Sequence, residues 1–172
     1  MTGMEGYTTY LENLEKKLRS KGFGIMWKIP IPPYQLDLIA VKASFELSKF
    51  GGSKVARFIF VTSMDKVNSE VLRDFSSVST KFAFDNRKSI IPPLWFGGGL
   101  FSFPVVVSED FEPEVKKWIE NTLMEEHFTA AMEFPVIVSL KEKKIYYCKK
   151  TRLWGAAYYH GIRKFAKELL SF

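Results

Sequence analysis

The sequence predicts one α/β domain, a mixed β-sheet of about six strands with helices packed on its faces. Length and composition support this, because 172 residues with 47% hydrophobic side chains, including 16 phenylalanines, suffice for one core. A helical pattern separates two similar strand patterns at 103–108 and 134–139, as in a β-α-β unit with parallel strands. No linker-like stretch divides the chain, so residues 1–172 are predicted to form a single domain in the order α-β-β-β-α-β-α-β-β-α.

The first half of the chain alternates strand and helix patterns. Thr9 and Glu12 fit a capping box, leucines follow at helical spacing, and Gly22 is suited to end that helix. The apolar run at 58–61 predicts a strand buried on both faces. The predicted elements are a helix at 9–21, strands at 23–29, 36–41 and 55–62, and a helix at 68–86, with 43–50 left open between strand and helix.

The second half contains a predicted hairpin and a terminal helix. Pro104 and Pro135 are each expected at the opening of a strand, where a residue need not donate to the ladder. In the hairpin, strand alternation places Tyr146 and Cys148 on one face. The predicted elements are a loop at 89–99, a strand at 103–108, a helix opened by Glu112 and Pro113, strands at 134–140 and 145–149 joined by a turn at 141–144, and a helix at 156–170.

Composition gives expectations about the cellular setting. Cys148 is the single cysteine, which excludes an internal disulfide and suits a reducing compartment. No apolar run reaches the roughly 18 residues of a membrane helix, and the N-terminus lacks the apolar core of a signal peptide. We therefore expect a cytoplasmic protein that does not associate with membranes. One glutamine and four asparagines among many charged residues are typical of thermophile proteins.

Positive charge is concentrated in the last 32 residues. Residues 141–172 contain nine basic and two acidic side chains, whereas residues 1–140 contain 16 basic and 17 acidic ones. Tyrosines and tryptophan interleave with these charges, a combination able to meet phosphates and stack on bases. A solvated edge strand carrying lysines is the alternative interpretation. The residues predicted to bind nucleic acid or another anionic partner are Lys149, Lys150, Arg152, Trp154, Arg163 and Lys164.

The segment before the last helix, 151–160, is the most distinctive stretch. Trp154 and Gly155 place a large aromatic side chain at the helix N-terminus. Thr151 and Arg152 could bind an anion there together with free backbone amides. The alternative is that Trp154 simply anchors the last helix in the core.

The element order up to residue 107 resembles the core of the restriction-endonuclease-like superfamily. That family holds a metal ion with an acid on its second strand and a Glu/Gln-x-Lys motif on its third. Asp37, within Leu36-Asp-Leu-Ile39, matches the first position in residue type and place. The third strand, at 55–62, contains no acid and no Glu/Gln-x-Lys, and Glu46-Leu-Ser-Lys49 nearby has different spacing. The resemblance covers residues 9–107 and implies a relative that binds rather than cleaves, since Mg²⁺ would lack oxygen ligands.

Other candidate residues give weaker signals for catalysis. Asp37, Trp95, Tyr158 and His160 are candidates to line a pocket with the 92–99 loop. The glycines of that loop precede a strand pattern rather than a helix, which does not fit a phosphate loop. With two histidines and one cysteine in the chain, no spacing predicts a metal site, and no motif predicts a cofactor.

Three functional hypotheses follow. The leading one is a non-catalytic binding domain whose basic, aromatic-rich C-terminal surface contacts nucleic acid. The alternative is an enzyme of unknown reaction, such as a divergent metal-dependent nuclease-like hydrolase, with a pocket near Asp37 and the 92–99 loop. A homo-oligomer, with surplus aromatic side chains at a subunit interface, is the third.

Overall fold

A computed structural model describes residues 3–48, 51–90, 99–122, 125–127, 131–151 and 156–172. Four helices and ten strands form within these ranges. The helices are α1 (Gly3–Ser20), α2 (Ser69–Ile90), α3 (Pro113–Asn121) and α4 (Ala156–Leu170). The strands are β1 (Gly24–Trp27), β2 (Pro30–Ile31), β3 (Tyr34–Gln35), β4 (Leu38–Ser48), β5 (Gly51–Ser63), β6 (Gly99–Ser108), β7 (Glu125–His127), β8 (Ala131–Glu133), β9 (Val136–Ser139) and β10 (Lys144–Tyr147).

All strands except the small β2–β3 pair belong to one mixed sheet, so the predicted α/β class and single domain are confirmed. The order is β1-β4-β5-β6, after which β6 pairs with both β8 and β9 along different parts of its length. β1, β4 and β5 are antiparallel neighbours in this order, and β5, β6, β8 and β9 run parallel to one another. β7 pairs with β8 in antiparallel orientation. β10 pairs with β9 in the same way and forms the predicted hairpin.

The sheet separates two layers of core. Ile59 and Val61 of β5 pack under α1 and α4, whereas Phe58 and Phe60 of the same strand pack under α2 and α3. All four side chains are fully buried, as their unbroken apolar run predicted. The predicted β-α-β unit is confirmed as well, because β6 and β9 pair in parallel on either side of α3 in sequence.

Pro104 lies inside β6 rather than at its opening, which corrects the prediction. β6 pairs with β8 through residues 100–102 and with β9 through residues 105–108. Pro104 falls between these two ladders, so its missing N–H interrupts neither. The segment predicted as one strand at 134–140 is accordingly preceded by the separate short strand β8.

The first helix begins earlier than predicted. Thr9 lies inside α1, and its hydroxyl donates a hydrogen bond to the Glu5 carbonyl at 2.9 Å, so the capping box is wrong. Gly22 follows the helix at φ +79°, the left-handed conformation expected of a terminating glycine. Residues 43–48, left open by the sequence, belong to β4, and 49–50 lie outside the described residues. No helix in the described ranges is both long enough and apolar enough to cross a bilayer.

Candidate functional site

The basic C-terminal segment folds into the edge strand β10 and the helix α4. β10 pairs with β9 in register, so Lys144 lies opposite Ser139 and Tyr147 lies opposite Val136. The connecting turn contains Lys143 at φ +50°, and the Ser139 hydroxyl accepts a hydrogen bond from the Glu142 amide at 3.3 Å. The hairpin therefore presents its lysines at the outer edge of the sheet.

A groove of about 250 Å³ lies between β10, α4 and the end of α3. Four of its eight lining side chains are lysines from different parts of the C-terminal segment, and one is an acid. All four lysines are exposed. We call this feature the lysine groove, and its lining residues are Glu120, Lys143, Lys144, Ile145, Tyr147, Lys149, Lys167 and Ser171.

Glu120 is the acid of the lysine groove. Its Oε1 lies 2.5 Å from Lys149 Nζ, and its backbone carbonyl accepts a hydrogen bond from the Lys149 amide at 3.0 Å. The Lys149 side chain remains 64% exposed and that of Glu120 26% exposed. Lys149 is therefore held in place by both the carboxylate and the backbone carbonyl of Glu120.

Arg163 of α4 faces inward and holds the chain that leaves β10. Its Nε donates to the Cys148 carbonyl and its Nη1 to the Thr151 hydroxyl, both at 2.9 Å, while Nη2 donates to the Lys150 carbonyl. These contacts use the planar fork of the guanidinium on protein acceptors. Arg163 thus fixes the segment that carries Lys149 and Lys150.

The other predicted anion-binding residues are placed as follows. Lys150 is exposed beside Lys149. Lys164 is exposed on α4, with Nζ 3.9 Å from Glu168. Arg152 and Trp154 lie outside the described residues.

The pocket candidates do not all assemble around Asp37. Asp37 accepts a hydrogen bond from Tyr7 near the start of α1. The end of α4 also approaches α1, where the Tyr10 hydroxyl donates a hydrogen bond to the Leu170 carbonyl at 2.9 Å. His160 is exposed and lies ten residues before Leu170, which is about 15 Å away along the helix. Tyr158 lies in α4, with only its backbone described, and Trp95 lies outside the described residues.

Asp37 instead ties three elements together. Its Oδ2 accepts hydrogen bonds from the Tyr7 hydroxyl at 2.6 Å and from the Ser63 amide at 3.3 Å, and its Oδ1 pairs with Lys28. Burial raises the pKa of Tyr7, and its hydrogen bond to Asp37 raises it further.

Within the part of the chain that the structure describes, Asp37 has no partner acid on the adjoining strand. It lies directly before β4, and the adjoining end of β5 presents Thr62 and Ser63. Within the described ranges, no group of three histidine, cysteine or acidic side chains could hold a metal ion. A hollow of about 240 Å³ lies beside Tyr7 and Ser63, and Asp65 and Glu109 are among its lining residues.

The prediction that the side chains of Tyr146 and Cys148 lie on the same face of the sheet is wrong. Tyr146 faces the layer of α2 and α3, whereas Cys148 packs with α1 and α4. The reason is that β10 ends at Tyr147, after which strand alternation no longer applies. Cys148 is buried, and its Sγ donates a hydrogen bond to the Lys150 carbonyl at 3.3 Å.

A charged network at the carboxyl ends of β6 and β9 was not predicted. Lys116 donates to Asp110 at 2.6 Å and to Glu142 at 2.8 Å, with 16% of its side chain exposed. Lys141 also pairs with Asp110, and the Tyr146 hydroxyl donates to Glu142. These residues adjoin or line a cleft of about 670 Å³. No sequence signal marks the network, because its members come from three separate segments.

The contacts of the network shift the pKa values of its members. Hydrogen bonds from Lys116 lower the pKa of Asp110 to about 2 and also lower the pKa of Glu142. Burial raises the pKa of Tyr146 to about 12, with a contribution from its bond to Glu142. The network therefore braces the turn that leads into the lysine groove.

Comparison with protein-family models gives no match, and comparisons with curated proteins and with solved structures give none either.

Proposed function

We propose that this protein is a non-catalytic binding domain whose lysine groove binds a polymer rich in phosphate, namely a nucleic acid. The observation that carries the proposal is the convergence of Lys143, Lys144, Lys149 and Lys167 on one groove with a single acid among its lining residues. Phosphate neutralisation by lysines releases condensed counterions, which supplies affinity without base-specific contacts.

The charges of the groove are available for such a ligand. Lys143 and Lys167 have no acidic partner among the described residues, and both are exposed. Lys144 lines the groove, but its Nζ lies 4.9 Å from the centroid of the Tyr146 ring, which packs with the α2 and α3 layer. Lys149 pairs with Glu120 in a solvent-exposed arrangement, which an incoming phosphate can replace at small cost.

The enzyme hypothesis receives less support from the contacts around Asp37. Both carboxylate oxygens accept hydrogen bonds from protein groups that join α1, β4 and β5. A carboxylate used in this way stabilises the fold, and a general base needs access to a substrate proton.

The test is a fluorescence-anisotropy titration with labelled DNA and RNA at roughly 50 and 200 mM salt. The double variant Lys143→Glu/Lys167→Glu should lose most of the affinity, and its plot of log K against log salt should flatten by about 1.5. The matched control is Lys66→Glu/Lys81→Glu, which makes the same charge change on exposed lysines near and on α2, on the other face of the sheet. Equal losses in both variants would contradict a localised site, and no binding by the unmodified protein at low salt would overturn the proposal.

A further inference from the structure

The lysine groove contains an aromatic side chain as well as positive charge. Tyr147 and Ile145 line it and are half-buried on the α4 side of the sheet. The Tyr147 ring packs against Phe134, with ring centroids 5.7 Å apart and planes tilted by 36°. This contact supports the ring from within the core, and Tyr147 is also one of the residues that line the groove.

The lysines are arranged around this ring. Lys143 and Lys144 lie before Tyr147 on the hairpin, Lys149 lies after it, and Lys167 lies across the groove on α4. Lys144 and Tyr147 are three positions apart in β10, so strand alternation places their side chains on opposite faces of the sheet. A ligand in the groove therefore meets an aromatic ring that is flanked along the chain by Lys143 and Lys149 and faced by Lys167 of α4.

We propose that the ligand of the lysine groove is single-stranded nucleic acid, with a base stacked on Tyr147 and the flanking phosphates on the surrounding lysines. The inference rests on the proposed function and specifies its substrate class. Proteins that bind single strands combine a positive groove that tracks the backbone with aromatic side chains that stack on bases. A paired base in a duplex has its faces covered by its neighbours and cannot stack on Tyr147.

The groove's dimensions agree with this ligand. A volume of about 250 Å³ is below the range of pockets that enclose a drug-sized molecule, so a strand would occupy the groove with only part of its length. An acidic polypeptide would use the same lysines, but it offers no π-face for Tyr147.

The experiment compares four ligands with the unmodified protein: single-stranded DNA and RNA of about 12 nucleotides, the DNA duplex, and an abasic strand of equal length. Poly-glutamate is the competitor. Both single strands are expected to bind about tenfold or more tightly than the abasic strand and the duplex, because stacking is lost in those two. A preference between DNA and RNA identifies the natural source of the strand.

Two variants locate the stacking. Tyr147→Leu should lose about tenfold in affinity for single strands and little for the abasic strand, and Tyr147→Phe should retain the affinity. Tyr34→Leu, at a half-buried tyrosine of β3, is the matched control and should bind like the unmodified protein. Equal binding of the duplex, the abasic strand or poly-glutamate would overturn the inference alone. No binding of any polyanion would overturn the proposed function with it.

Discussion

Replacement of Glu120 by glutamine is expected to tighten the binding of single-stranded nucleic acid to the lysine groove. Glu120 holds Lys149 with an Nζ–Oε1 distance of 2.5 Å, so a phosphate must displace a carboxylate before it contacts this lysine. Glutamine keeps the size of the side chain and the backbone contact with Lys149. It removes the charge that competes with the ligand.

The magnitude follows from the exposure of the pair. With side chains 64% and 26% exposed, the ion pair is worth at most about 1 kcal/mol. Removal of the competing carboxylate should therefore improve affinity by about two- to fivefold. Freeing one more lysine for phosphate should also steepen the slope of log K against log salt by about 0.7.

The assay is anisotropy titration of a labelled single strand at several salt concentrations. Glu168→Gln is the matched control, since it makes the same charge change beside Lys164, whose Nζ is 3.9 Å from Glu168 and outside the groove lining. That variant should change affinity by less than about twofold. Equal gains in the two variants, or weaker binding by Glu120→Gln, would show that Glu120 does not compete with the ligand.

The remaining predictions concern stability. Asp37→Asn weakens the contacts that join α1, β4 and β5, and should lower the free energy of unfolding, measured with urea, by about 1–3 kcal/mol. An unchanged free energy of unfolding would show that Asp37 does not hold these elements together. Asp110 has a folded pKa of about 2 against 3.8, so the stability it confers is present above pH 3.8 and lost as the pH falls to about 2. Asp110→Asn should therefore flatten the fall of the melting temperature across that window, whereas Glu112→Gln, at an exposed position, should not. Phe103→Ala empties the centre of the core and should cost about 3–5 kcal/mol, against less than about 1 kcal/mol for Phe45→Ala at a side chain that is 54% exposed.

Much of the fold could be predicted because periodicity reports burial. The run at 58–61 predicted a strand covered on both faces, and the bounds of α4 agree with the predicted 156–170. The start of α1 and the position of Pro104 could not be predicted from local patterns. α1 begins at Gly3, before the residue that resembled its cap. The position of Pro104 depends on which parts of β6 pair with β8 and with β9.

The sequence predicted which segment carries the positive charge of the candidate site, but it did not predict how the side chains of the site are arranged. Charge asymmetry marked the C-terminal segment, and Lys149 lines the groove. The inward role of Arg163 was not accessible, because its acceptors are two backbone carbonyls and a hydroxyl about 12 to 15 residues away. Glu120 likewise enters the groove from another helix, so no spacing rule relates it to Lys149.

The division of the ladder on β6 has a consequence for local unfolding. The β9–β10 hairpin and the β7–β8 pair are bonded to separate stretches of β6, with Pro104 between them. Opening one pair therefore breaks none of the ladder hydrogen bonds of the other, and their backbone amides should exchange with solvent as two independent sets. A ligand in the lysine groove would slow exchange in the β9–β10 hairpin, and the amides of β8 would keep their own rate.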